Sequence, residues 1–219
     1  MTPVELWSNV WKRSWPVRVA AVLGFLVIAF AAGCGGVPKV HYYTLQAPST
    51  PPHSDPRTNY VLGVEHFRAP QILRDDRIVY YESSTQVNFY QFHRWVSDPS
   101  TLLSEYAAQW AESSAVFRQV RMLPVRERVD YILGGRILSF EEVDGDGGPK
   151  ARLALALSLI RTNDHKLVWT DEQRRESPLS ERGVQGVATA LNASCAQALS
   201  AMVPGLIAQV EQDFKSSSK

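Results

Sequence analysis

The apolar positions change period several times along the chain. "VAAVLGFLVIAFAA", Val19 to Ala32, is 14 residues without a charge, short of the roughly 20 that a helix needs to span a bilayer. "VHYYTL", Val40 to Leu45, is β-branched and aromatic and predicts a strand. The next segment, Gln46 to Asn59, carries Pro48, Pro51, Pro52 and Pro56 and predicts an exposed loop. Strands are then predicted at Tyr60–Phe67 and Arg77–Ser83, with "RAPQILRDD" turning the chain between them. Gln86–Trp95 is aromatic on both faces of a strand, since strict alternation puts Phe89 and Trp95 on one side and Tyr90 and Phe92 on the other. Such a strand is either buried twice or turned toward a partner. Phe89, Tyr90, Phe92 and Trp95 are therefore candidate lipid or protein contacts, beside the reading in which they only pack.

Asp98-Pro99 predicts a helix start, with Asp as N-cap and Pro at the first helical position. Leu103, Tyr106, Trp110 and Phe117 follow at helical spacing, and the helix should run to about Val116. "VRMLPV" is a brief extended piece. Asp130–Val143 reads as a strand with a bulge expected at Gly134-Gly135. "DGDGGPK" predicts a tight turn, because a calcium loop would need an oxygen ligand where Gly148 stands and a closing glutamate. "ARLALALSLI" puts Leu153, Leu155, Leu157 and Leu159 on one face, and "NDHK" turns it into "LVWTDEQRRES", two strands of a meander. From about Glu181, Val187, Leu191, Cys195, Leu199, Met202, Leu206 and Val210 form the stripe of a long helix, with a bend expected at Pro204. The order predicts an α+β fold: a single domain with a mostly antiparallel β-sheet and two main helices packed on one face.

Lys12, Arg13 and Arg18 precede the first apolar run, and small residues close it. That is the layout of a secretory signal peptide, with an uncleaved anchor as the alternative. Ala31-Ala32-Gly33-Cys34 resembles a bacterial lipobox, with Ala31 where such boxes usually carry Leu. The resemblance implies cleavage between Gly33 and Cys34, and a Cys34 that is S-diacylglycerylated and N-acylated. With about 0.8 kcal/mol per buried methylene, three chains anchor effectively permanently. Gly35 stands where an Asp would mark inner-membrane retention, so the implied location is the periplasmic face of the outer membrane. Residues 1–33 are then signal peptide and 34–39 a lipidated tether. Its free part, Gly35–Lys39, reaches at most about 17 Å. Residues 40–215 form the domain, including the proline-rich loop 46–59, and 216–219 a frayed tail.

Removing residues 1–33 takes three of the 23 basic and one of the 22 acidic side chains, leaving 20 and 21 on 186 residues. The resulting charge of −1 argues against a nucleic-acid partner. The length suffices for one domain with its own core. With Cys34 acylated, Cys195 has no intramolecular partner and no disulfide framework exists.

Catalytic motifs are missing: no HExxH, GxSxG or P-loop occurs, and His41, His53, His66, His93 and His165 lack metal-ligand spacing. A non-enzyme without cofactors is expected. The lipobox cysteine, "YYTL", "FRAPQILRDDRIVYYES", "YQFHRW" before a Pro-started helix, "DYILGGRILSFE" and "LALALSLIRTNDHKLVWT" together resemble the auxiliary lipoproteins of ABC-type transporters, the family of paraquat-inducible lipoproteins. The resemblance implies a non-catalytic component of a phospholipid transport system between inner and outer membranes. It implies an MCE-domain protein as partner, alongside a permease and an ATPase, and leaves self-association open. From another class comes the alternative of a structural envelope lipoprotein, assisting outer-membrane assembly or cell-wall attachment.

Overall fold

Each apolar period downstream of Val40 becomes an element in the computed structural model, which describes residues 38–47, 56–145 and 147–217. The strands are β1 (His41–Tyr43), β2 (Val61–Val64), β3 (Arg77–Tyr81), β4 (Val87–Trp95), β5 (Gln119–Met122), β6 (Tyr131–Val143), β7 (Lys150–Arg161) and β8 (Lys166–Pro178). The helices are α1 (Pro99–Ser113) and α2 (Val184–Ser217), and a single 3-10 turn covers Gln71–Leu73. Gly33 and Cys34, the expected cleavage and acylation residues, lie outside the described residues, as do residues 48–55 of the proline-rich loop.

All eight strands join one mixed sheet organised by β6. Along one edge β6 pairs antiparallel with β7 over its whole length, and β7 pairs antiparallel with β8. The other edge is shared. β2 runs parallel beside residues 131–133, and β3 runs parallel beside residues 142–143. Between them Arg68 bridges Arg136, its amide donating to the Gly135 carbonyl at 2.9 Å and its carbonyl accepting from Ile137 at 2.8 Å. β5 extends the sheet parallel to β2, while β4 and then β1 extend it beyond β3. The long ladders are thus antiparallel and the short ones parallel. Short crossing segments such as residues 64–68 carry a parallel pairing too brief to show as a long hydrophobic run.

Both helices cover one face. Ala107, Trp110 and Ala111 of α1 and Leu199 and Met202 of α2 close over Leu133 and Leu157 around a void of only about 20 Å³. Leu153, Leu155, Leu157 and Leu159 are all at most 3% exposed, and all seven stripe residues of α2 are buried. Burying each aliphatic side chain contributes about 1.5–3 kcal/mol, so this seam is the main source of stability. α2 continues through Pro204 as one helix. By length and composition it would also suit a membrane crossing, but its apolar stripe is taken up by the sheet.

The Asp98 carboxylate accepts from the amides of Ser100 at 2.9 Å and Thr101 at 3.2 Å, with Pro99 opening α1. α1 stops earlier than its spacing suggests. Ala115 enters the left-handed region at φ 51°, which ends a helix and turns Val116 and Phe117 into the core. The bulge expected at Gly134-Gly135 lies instead between Ile137 and Ser139. Gly135 keeps regular pairing with Leu157. It is glycine because the Phe67 ring occupies the place of a side chain, with Cδ1 2.4 Å from where a Cβ would be.

Candidate functional site

The first element after the predicted tether is β1, and it docks on the aromatic strand. His41, Tyr42 and Tyr43 pair in parallel with His93, Arg94 and Trp95. Three β1 residues and one end of β4 thereby form an aromatic edge. The His41 and His93 rings stack with centroids 5.2 Å apart, and Tyr43 stacks on His93 at 5.8 Å. The Tyr43 hydroxyl hydrogen-bonds Nδ1 of His93 at 2.8 Å. Tyr90 meets the same imidazole edge-on at 6.0 Å and lies 4.6 Å from Tyr80. Tyr42 and Val96 stand out from this edge, 62% and 57% exposed.

The strict two-face reading of β4 does not survive. Arg94 pairs with Arg77 and Phe89 with Val79, so five steps along β4 match two along β3. An odd excess reverses which residues share a side. Trp95 packs on Phe140 at 5.0 Å, and the Tyr90 hydroxyl donates to Glu142 at 2.6 Å, two residues further along β6. Tyr90 and Trp95 therefore share a face. Trp95 is 1% exposed and belongs to the core. Phe89, Tyr90 and Phe92 are half-buried, with the Arg77 guanidinium carbon 4.1 Å from the Phe89 ring centre.

Charges flank this edge in pairs. Arg77 binds Asp75 at 2.9 Å and Arg94 binds Asp76 at 2.6 Å. The Arg77 hydrogen bond holds the Asp75 carboxyl down to about 2. Burial, then neighbouring His41, lowers the pKa of His93. Burial, then the Glu142 bond, raises that of the Tyr90 phenol. The set favours neutral imidazole and neutral phenol. His93 faces Tyr43, Tyr90 and His41, so these contacts hold β1 against β4.

A second feature was missed in the sequence. Glu141, on the bulged part of β6, is 5% exposed and forms part of a cavity of about 410 Å³ with Pro70, Ile72, Tyr81, Leu138 and Arg152. Its Oε2 accepts from the Phe140 amide at 2.5 Å, and Arg152 lies 4.0 Å from Oε1. Burial is the largest influence on this carboxyl and raises its pKa. No local spacing marks Glu141 as buried, because the bulge that turns it is itself unmarked. Among the described residues, no three His, Cys, Asp or Glu side chains gather as a metal site.

A family model for the ABC-type transport auxiliary lipoprotein component matches residues 43–203. The chain belongs to this family. No curated protein matches the sequence. The crystal structure of protein XCC0632 from Xanthomonas campestris, described there as DUF330, superposes on the lipoprotein with a TM-score of 0.69 at 21% identity, covering 80% of this chain and 99% of that one. A crystal structure of an uncharacterized protein gives 0.58 at 18%, covering 73% and 94%. A PelC dodecamer from Paraburkholderia phytofirmans gives 0.44 at 16%, covering 68% and 91%. At these identities the first two likenesses are ones of fold. Membership makes the chain an auxiliary lipoprotein of an ABC-type transport system, and the matched span runs from the last residue of β1 through α1 and the sheet into α2.

Proposed function

We propose that residues 1–33 are removed as a signal peptide and that Cys34 carries the lipid anchor. Residues 34–39 tether the domain 40–215 to the periplasmic face of the outer membrane. There the protein acts without catalysis as the outer-membrane end of a phospholipid transport system, with an MCE-domain protein as its partner. The family match over residues 43–203 carries this reading. The aromatic edge supports it: β1 begins at His41, seven residues after Cys34, at most about 25 Å of extended chain. Tyr42, Val96 and the half-buried Phe89, Tyr90 and Phe92 are thus held within reach of an anchoring bilayer, where aromatic side chains favour the interface. Trp95 is left out of this contact because it is core.

The test is affinity capture of the full-length protein from detergent-extracted membranes, with mass spectrometry of its N-terminal peptide. An acylated Cys34 and recovery of an MCE-domain protein with its permease and ATPase are expected. Recovery of assembly or cell-wall proteins alone would transfer the domain to a structural role in the envelope.

A further inference from the structure

On the face of the sheet that the helices leave uncovered, an acid and a base share one cavity. Glu141 pairs with Arg152 across β6 and β7, on the side opposite the alternating leucines of β7. Both line the cavity of about 410 Å³, with Ser139 beside them, Pro70, Ile72 and Tyr81 as an apolar wall, and Asp144 as a second carboxylate. That volume suits a small organic ligand. Glu141 is 5% exposed, and a buried carboxylate is costly unless its charge is met. Within the chain it is met only in part. Oε2 accepts from the Phe140 amide at 2.5 Å, while Oε1 lies 4.0 Å from Nη1 of Arg152, beyond hydrogen-bond reach. Arg152 is drawn the other way, its Nε donating to Glu176 at 3.0 Å. A guanidinium carries five N–H donors, so that bond leaves others for an anion.

We propose that this cavity binds a zwitterionic ligand, with a primary ammonium on Glu141 and a phosphate on Arg152, as in the phosphoethanolamine group of a phospholipid. An ammonium supplies both the donor and the countercharge that Oε1 of Glu141 lacks, and charge-assisted bonds of this kind are the strong ones. Acid and base stand side by side, as ammonium and phosphate do when a short carbon link joins them. A metal ion fits less well, because among the described residues no three His, Cys, Asp or Glu side chains gather. The cavity also lies at a telling end of the sheet. His41 is the end of β1 nearer Val87 of β4, and Val87 pairs with Tyr81 of the cavity wall. The chain therefore enters β1 from the cavity's end of the sheet. That the ligand is a phospholipid rests on the transport reading; the matching of charges does not.

Calorimetric titration of the full-length, detergent-solubilised protein tests it, with dihexanoyl phosphatidylethanolamine and dihexanoyl phosphatidylglycerol as probes. The two share a phosphate and differ in the ammonium. The wild type should bind the first about tenfold more tightly or better, the worth of one hydrogen bond to a charged group. Glu141→Gln keeps the shape, loses the charge and should bind both lipids alike. Arg152→Gln alters a side chain that is 42% exposed, so it keeps the test open should Glu141→Gln fail to fold. It should weaken both lipids while the preference for the first persists. Free phosphoethanolamine separates the sources: weaker binding than the dihexanoyl lipid supports a lipid headgroup, and equal or tighter binding would overturn the phospholipid as the source. No binding, equal binding of the two lipids by the wild type, or an unchanged preference in Glu141→Gln would each overturn the proposal. None of these measurements involves the MCE-domain protein, so its capture without headgroup binding would strike the cavity and leave the transport reading standing.

Discussion

The Tyr131 hydroxyl donates to the Asp213 carboxylate at 2.9 Å, joining residues 82 apart in sequence and fastening the end of α2 to the start of β6. Arg161 donates to the same oxygen at 2.7 Å. Tyr131 is 1% exposed, so Asp213→Ala would leave a buried hydroxyl without that acceptor, at a cost of about 1–3 kcal/mol. Tyr131→Phe removes the donor itself and should cost less, about 0.5–1.5 kcal/mol. Urea unfolding of both variants measures the order. If Tyr131→Phe were the more damaging, the bond would not be what secures α2.

The same phenol makes stability fall in alkali. Burial, then the Asp213 bond, raises the Tyr131 pKa, whereas in the unfolded chain it ionises near its ordinary value of about 10. Its contribution is complete below that pH and declines above it, as the unfolded state alone releases the proton. Unfolding free energy measured between pH 9 and 11 should drop, and Tyr131→Phe should drop less steeply. Some slope should persist in that variant, since Tyr90 is raised by burial and Glu142 as well.

The His41–His93 stack acts at the opposite end of the scale. The lowered pKa of His93 means that, as pH falls through about 6.5, the unfolded chain takes up its proton before the folded one does. Stability is therefore lost on acidification and flattens once the folded imidazole is protonated too. Because β1 has only three residues, the loss should show first as lower amide protection, relative to the intrinsic rate at each pH, at Tyr43 and at Val96, whose amide bonds the Tyr43 carbonyl at 2.9 Å. His93→Phe keeps a ring and removes the proton. Identical protection, with exchange taken relative to the intrinsic rate at each pH, is expected in that variant between pH 7.5 and 5.5, and an unchanged acid response would remove the stack from the explanation.

Gly135 and Gly134 separate a packing role from a bulge role. A Cβ at Gly135 would meet the Phe67 ring at 2.4 Å, whereas at Gly134 it would meet the Ser158 hydroxyl at 3.2 Å and the movable end of Glu65 at 3.3 Å. Gly135→Ala should destabilise by about 1–3 kcal/mol, and Gly134→Ala should stay within about 1 kcal/mol of the native protein. Chemical denaturation ranks them. Equal effects would mean that Phe67 can move aside.

These results show where the sequence was legible. The α2 stripe and the four alternating leucines of β7 declared themselves because period, length and burial agree along a single element. Asp98-Pro99 did so because a cap is a local device. The parallel docking of β1 on β4 was not readable, since it joins His41 to His93 across the proline-rich loop and two strands with no local spacing to announce it. The β4 irregularity was hidden likewise, and with it the side on which Tyr90 and Trp95 fall. Glu141 looks like any strand carboxylate, because the bulge after Ile137 that sets it on the same side as Ser139 and Arg152, under Pro70, Ile72 and Tyr81, is not marked in the sequence. Cys34 was read from its flanking residues alone.

Thiol titration joins the core to the anchor in a single assay. Cys195 is fully buried in α2, and burial raises the pKa of its thiol, so the nucleophilic thiolate is scarce and shielded from reagent. The chain has only one other cysteine, Cys34. If Cys34 is thioether-linked to diacylglycerol, the native full-length protein should react with a disulfide reagent at no thiol. In denaturant it should react at one. A Cys34→Ser variant would leave both readings unchanged while losing membrane retention. A fast-reacting thiol in the native wild type that disappears in Cys34→Ser would mean an unacylated Cys34 and would withdraw the anchor. A fast-reacting thiol that persists in Cys34→Ser would instead mean that α2 opens, since Cys195 is reachable only when the helix leaves the sheet.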